Sequence, residues 1–129
     1  MASWDQIPID SESAFELARK ENLDVRVADD YTLQLDCDDE TSVNQFHCYE
    51  PRLRAHFGIK EITETKSRHQ NTHIYLTLDN PMTVPERIAL QAALGSDPTR
   101  EFLSLKRWLS KDPNPILLFE VKPVLKESN

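Results

Sequence analysis

Two stretches of this chain alternate apolar and polar residues with a strict period of two, and that pattern restricts the fold more than any other feature. In Tyr31-Thr-Leu-Gln-Leu-Asp36-Cys-Asp38, one side carries Tyr31, Leu33, Leu35 and Cys37, and the other carries Gln34, Asp36 and Asp38. In Thr72-His-Ile-Tyr-Leu-Thr-Leu78, Ile74, Leu76 and Leu78 share a face, and His73, Tyr75 and Thr77 share the opposite one. Successive side chains of a strand point to opposite faces, so both stretches read as half-buried strands. The first ends with two carboxylates on one face, roughly 6–7 Å apart at the backbone. Their repulsion is costly unless water screens them or a cation sits between them. Hard oxygen donors of this kind suit Mg²⁺ or Mn²⁺. A strand running out into an acidic turn is the competing reading, since Asp39 and Glu40 follow.

The remaining elements are marked by caps and breakers. Ser11–Asn22 has the pattern of an amphipathic helix with Phe15, Leu17 and Ala18 inward. Leu23–Ala28 reads as a short strand that Asp29-Asp30 turns back, as a hairpin, into the strand carrying Asp36. Thr41 or Ser42 can cap a helix containing Val43, Phe46, Leu53 and Phe57; Pro51 should kink or restart it, and Gly58 should end it. Ile59–Thr65 reads as a strand. Thr83-Val-Pro85-Glu86 is a capping box with proline at the first helical position, and Gly95 stops that helix after Leu94. Asp97-Pro98 opens another, with Phe102, Leu105 and Leu109 at core spacing. Pro113-Asn-Pro115 breaks the chain before a buried strand, Ile116–Val121. From Tyr31 onward the order is βαββαβ, an α+β arrangement of the ferredoxin or RNA-recognition-motif type, preceded by a helix and a hairpin. In the usual sheet order the first and third of these strands are antiparallel neighbours, which brings Asp36 and Asp38 beside His73.

At 129 residues the whole chain, 1–129, suits one domain with a real core. Only two glycines occur, which argues against a Gly-rich phosphate loop of Walker or Rossmann type. Cys37 and Cys48 lack CxxC spacing, so a cysteine zinc site is not expected. The histidines offer no ligand spacing beyond a loose His69/His73 pair. No apolar run approaches the roughly 18 residues of a membrane span, and no signal peptide opens the sequence, so a reducing cytoplasm is the expected location. The net charge of −7 argues against a broad non-specific DNA surface. Residues 1–50 carry 3 basic and 13 acidic side chains, whereas residues 51–129 carry 12 and 9. An acidic, metal-holding edge could therefore face a basic, phosphate-holding one. Arg87, Lys106, Arg107 and Lys111 could meet template phosphates or simply form solvated faces.

Three segments resemble archaeo-eukaryotic primases and primase-polymerases. Leu-Gln-Leu-Asp36-Cys-Asp38 is similar to their first motif, a hydrophobic strand ending in Asp-x-Asp/Glu. Thr65-Lys-Ser67-Arg-His-Gln-Asn-Thr-His73-Ile-Tyr-Leu is similar to the second, in which a small residue and a loop precede a histidine. Gly95-Ser-Asp97-Pro-Thr-Arg100 is similar to the third, an acidic residue followed by a nearby arginine. The resemblance spans about residues 24–121 and implies a metal-dependent nucleotidyl transferase, a minimal or truncated member of viral or plasmid type. It implies that Asp36, Asp38 and Asp97 hold Mg²⁺ or Mn²⁺. It further implies that His73 contacts the phosphates of the incoming nucleotide, and that Lys66, Ser67, Arg68 and Arg100 help bind the triphosphate. Nucleoside triphosphates, single-stranded or primed DNA, and a helicase or other replication protein are the implied partners. Glu120 is the rival third acidic ligand. If the last strand runs antiparallel beside the Asp36 strand, Glu120 lies about five residues beyond the site, roughly 16 Å away. The alternative function is a non-catalytic acidic βαββαβ module that binds a protein or single-stranded nucleic acid.

Overall fold

A computed structural model describes residues 10–66 and 71–122. Among these residues the order is α1 (Ser11–Lys20), β1 (Leu23–Val27), β2 (Thr32–Cys37), α2 (Glu40–His56), β3 (Ile59–Lys66), β4 (Thr72–Leu78), α3 (Val84–Ala93), α4 (Pro98–Leu109) and β5 (Leu117–Val121). The fold is α+β, with the βαββαβ order running from β2 to β5 and a helix pair in the last crossover. No described helix is long and apolar enough to cross a membrane.

The central sheet has the order β2-β4-β3, all antiparallel. Its register places Asp36 opposite His73 and Leu35 opposite Ile74. Leu33, Leu35 and Cys37 join Ile74, Leu76 and Leu78 on the face under α2, where Phe46, Leu53 and Leu94 complete the main core. Asp39 caps α2 by accepting from the Ser42 N–H, so the cap lies two or three residues ahead of the expected Thr41 or Ser42. The helix runs through Pro51 without a break. Gly58 follows the extended residue Phe57, and its missing Cβ leaves room for Asp79, whose Oδ2 would lie 2.2 Å from that atom. The capping box of Thr83 and Glu86 forms as expected.

Two expectations are corrected. The hairpin does not form: β1 pairs with β5, antiparallel, from Leu23 opposite Val121 to Val27 opposite Leu117. Nor is β5 hydrogen-bonded along the free edge of β2. Polar groups from the crossover occupy that edge instead. The Gln34 N–H donates to Gln91 Oε1, the Asp36 N–H donates to Ser96 Oγ, and the Gln34 and Asp36 carbonyls accept from Arg100 and the Asp97 N–H. A sheet edge that must be buried needs such partners, and with them in place β5 is free to pair with β1. The β1–β5 ribbon meets the polar face of the central sheet: Arg26 lies 4.2 Å from the Tyr75 ring centroid, and Glu120 reaches His73. The ribbon packs its Leu117, Val25 and Phe119 with Ala14 of α1.

Candidate metal and nucleotide site

Asp36 is the last acidic residue within β2, Asp38 lies just past its end, and Asp97 caps α4. One oxygen from each lies within 4.8 Å of the others. Their approach is built into the backbone. The Asp97 N–H donates to the Asp36 carbonyl at 2.7 Å, so the α3–α4 connection runs like a further strand residue along the β2 edge. Gly95 makes this possible. It adopts φ 110, and a Cβ there would lie 2.7 Å from the Ser42 carbonyl oxygen, a conformation and approach open to glycine. The Asp97 carboxylate accepts from the Thr99 and Arg100 N–H groups at 3.4 and 3.3 Å, so it is at once a helix cap and a member of the cluster.

Gathering three carboxylates raises the energy of ionising them. Burial pushes Asp36 above the usual carboxylate range, although His73 and Arg100 pull it back. Burial, then the charges of Asp97 and Asp36, push Asp38 up to about 6. Asn71 donates to Asp38 at 3.2 Å. Asp36 Oδ1 is buried and has no hydrogen-bond partner among the described residues. A buried carboxylate oxygen left this way is costly unless something positive completes it.

His73 is buried beside this cluster, at 4% exposure. Its Nδ1 lies 2.7 Å from Glu120 Oε2, and its Nε2 lies 3.5 Å from Asp36 Oδ1. The Tyr75 hydroxyl donates to the same Glu120 oxygen, and Thr65 approaches it at 3.3 Å. Burial alone would raise the Glu120 carboxyl; the hydrogen bonds from His73 and Tyr75 outweigh it and bring the group below its ordinary value. The expected wide separation between Glu120 and the Asp36 site is therefore corrected. Pairing with β1 carries β5 across the polar sheet face, so its end, not its beginning, arrives at His73.

The phosphate-binding expectations divide. Lys66 lines an open groove of about 740 Å³ together with Asp38, His47, Thr65 and Thr72, and its ammonium donates to Thr72 Oγ1 at 2.9 Å. Ser67 and Arg68 lie outside the described residues. Arg100 is corrected: it is 5% exposed, and all five guanidinium N–H groups are used internally, on the Gln34 and Leu117 carbonyls, Gln34 Oε1 and Glu101 Oε2. Arg87 and Arg107 are also buried, which leaves Lys106 and Lys111 as the exposed cations of the four considered for template phosphates. Tyr75 is buried, with the Arg26 guanidinium over its ring.

Three residues that support the site carried no obvious signal in the sequence. Gln91, Glu101 and Ser96 are buried and hold the β2 edge, Glu101 by joining Arg100 to the Gln91 amide. The one available hint was the polar spacing of Arg100, Ser104 and Arg107 along α4, four and then three residues apart, which matches a helix face. Compared with models of known protein families, with curated proteins and with solved structures, the chain has no match.

Proposed function

We propose that this chain is a divalent-metal-dependent nucleotidyl transferase of primase-polymerase type, acting on nucleoside triphosphates with a nucleic-acid template in the cytoplasm. The observation that carries this reading is the meeting of Asp36, Asp38 and Asp97, one oxygen of each within 4.8 Å of the others. The donor set fits Mg²⁺ or Mn²⁺, because it offers hard, anionic oxygens. The cation would supply electrostatic stabilisation of charge on the transferring phosphoryl group and the leaving pyrophosphate. The chain's own contribution is placement. The β2–β4 ladder and the Asp97–Asp36 hydrogen bond hold the carboxylates at a fixed spacing. Lys66 presents its positive charge in the adjoining groove, where a triphosphate tail would lie alongside Asp38.

The test is titration of the isolated chain with a nucleoside triphosphate, with and without Mn²⁺. Binding should require Mn²⁺ and should disappear in Asp36→Ala and Asp38→Ala, with the fold intact by circular dichroism. A double alanine variant that bound nucleotide normally would end the metal reading. One observation favours the alternative of a non-catalytic module that binds a protein: α4 exposes Phe102, Leu105, Trp108 and Leu109. That reading predicts no Mn²⁺-dependent nucleotide binding at all.

A further inference from the structure

α4 turns its apolar residues outward. Phe102, Leu105, Trp108 and Leu109 are 69%, 39%, 41% and 63% exposed, and none of them belongs to either apolar core. The inner face is taken by Arg100, Glu101, Ser104 and Arg107, all buried. At 3.6 residues per turn, Phe102, Leu105 and Leu109 fall within about 60° of one another around the helix. Their spacing of three and then four residues is the a, d, a spacing of a helix–helix seam, with Lys106 at the e position on one flank and Trp108 at the g position on the other. Apolar side chains grouped in this way on a surface mark a contact site. Of the four charged residues in α4, three are buried and Lys106 is exposed. Lys111, also exposed, follows two residues past the helix end. α4 thus presents an apolar seam whose exposed charge is positive.

We propose that the outer face of α4 docks an amphipathic helix of a different protein, one with apolar residues at heptad spacing and carboxylates along the flank that meets Lys106. Such docking is independent of the cation reading above and gives the alternative, protein-binding module a partner of definite chemistry. Charges at the flanks of a helical seam set partner choice and orientation. α4 also lies in the half of the sequence with the basic excess, 12 basic against 9 acidic side chains over residues 51–129. A second copy of the chain is a poorer occupant. The antiparallel pairing that sets Phe102 against the copy's Leu109 is centred between residues 105 and 106. It brings the two Lys106 ammoniums to one flank, with no exposed carboxylate on either α4 to offset them. An anionic bilayer is poorer too. It presents negative charge across a whole plane to a chain of net charge −7. A single helix meets only the strip beside Lys106, and screening over about 8 Å at physiological salt hides it from the acidic remainder. An extended peptide does not match the seam, because its two-residue period misses a spacing of three and four.

The probe is a synthetic helical peptide of about three heptads, with leucine at a and d and glutamate at e and g, the like charges keeping it from pairing with itself. The full chain is titrated with it by calorimetry. The expected result is binding that weakens about tenfold or more in Phe102→Ser and in Leu109→Ser, the effect of truncating an anchor of an interface. Lys106→Glu should weaken it about fivefold, because a flanking attraction becomes a repulsion. Raising the salt to about 1 M, where screening acts over roughly 3 Å, should erase the Lys106→Glu effect and leave the Phe102→Ser effect. All three side chains are exposed, so the variants should keep the parent's circular dichroism. No binding by the parent at about 1 mM peptide overturns the proposal. So does binding that Phe102→Ser and Leu109→Ser leave unchanged, since the peptide would then sit elsewhere. Binding indifferent to Lys106→Glu overturns the acidic character of the partner. Sedimentation of the parent as a dimer that Phe102→Ser dissociates makes a second copy the occupant, and parent retention on phosphatidylserine vesicles that Phe102→Ser abolishes makes it a lipid surface; either result overturns the proposal.

Discussion

Arg100 shows how one residue type can serve two opposite purposes that sequence alone does not separate. An arginine three residues after an acidic helix cap is as well suited to a triphosphate as to a buried carbonyl. What decides between them is the supply of acceptors. The Gln34 carbonyl, the Leu117 carbonyl and the Glu101 carboxylate converge on the guanidinium from β2, β5 and α4 itself. Glu101 is 3% exposed and would be left as a poorly compensated buried charge if Arg100 were removed. Arg100→Ala should therefore cost about 3–5 kcal/mol in urea unfolding, the range for breaking a buried ion pair from one side. Arg100→Lys should fall between that variant and the parent, because it keeps the charge but offers three donors in place of a planar fork of five. A role at the nucleotide predicts the opposite pattern, with unchanged stability and weakened triphosphate binding; that result would refute the structural assignment.

Among the elements, those with a clean two-residue alternation were legible in the sequence. β2 and β4 appear where expected, with the expected residues inward, because one apolar face must be buried and a one-residue slip would expose it. The capping box of α3 was legible for a similar reason, since Thr83 and Glu86 satisfy backbone donors locally and need no tertiary partner. α4 was legible in extent but inverted in facing. Its apolar residues, Phe102, Leu105 and Leu109, have core spacing, yet they are 69%, 39% and 63% exposed, while Arg100, Glu101, Ser104 and Arg107 are turned inward. Periodicity reports that a helix has two faces; it does not report which one the neighbours can satisfy. Here the free edge of β2 and the Pro115 and Leu117 carbonyls demand donors, so the charged face wins. It follows that Phe102→Ser should change unfolding free energy by no more than about 0.5 kcal/mol, whereas Leu35→Ala, fully buried in the main core, should cost about 2–5 kcal/mol. A loss of stability in Phe102→Ser comparable to that of Leu35→Ala would mean that the apolar face of α4 is covered in the isolated chain.

At the scale of the whole molecule, the site is a junction of distant segments, and this part was only half visible beforehand. The meeting of Asp36 with His73 followed from the expected strand order, because neighbouring strands fix their own register. The arrival of Glu120 did not, since nothing in β1 or β5 announced that they would pair with each other rather than flank β2. The junction also sets how folding responds to pH and to cations. Asp38 is raised to about 6 from an ordinary carboxylate value near 3.8. An acid whose proton is held more tightly in the folded state adds stability below the unfolded value and loses it as pH rises through the folded one. Without a divalent ion, the Tm advantage of Asp38→Asn over the parent should thus widen between pH 5 and pH 7, because the substitution removes a charge the folded cluster resists. Mn²⁺ should reverse the order. A ligand that binds only the folded state at 100 times its dissociation constant stabilises by about 2.7 kcal/mol, roughly 10 °C for a chain of this size. The parent should gain that increment at pH 7, and Asp38→Asn should gain much less. Differential scanning calorimetry at both pH values, with EDTA and then with Mn²⁺, gives all the comparisons from two proteins. Equal Mn²⁺ increments in parent and variant would show that Asp38 does not hold the ion. A flat difference in EDTA would show that the three carboxylates do not strain one another, and the cluster would then be an ordinary solvated turn.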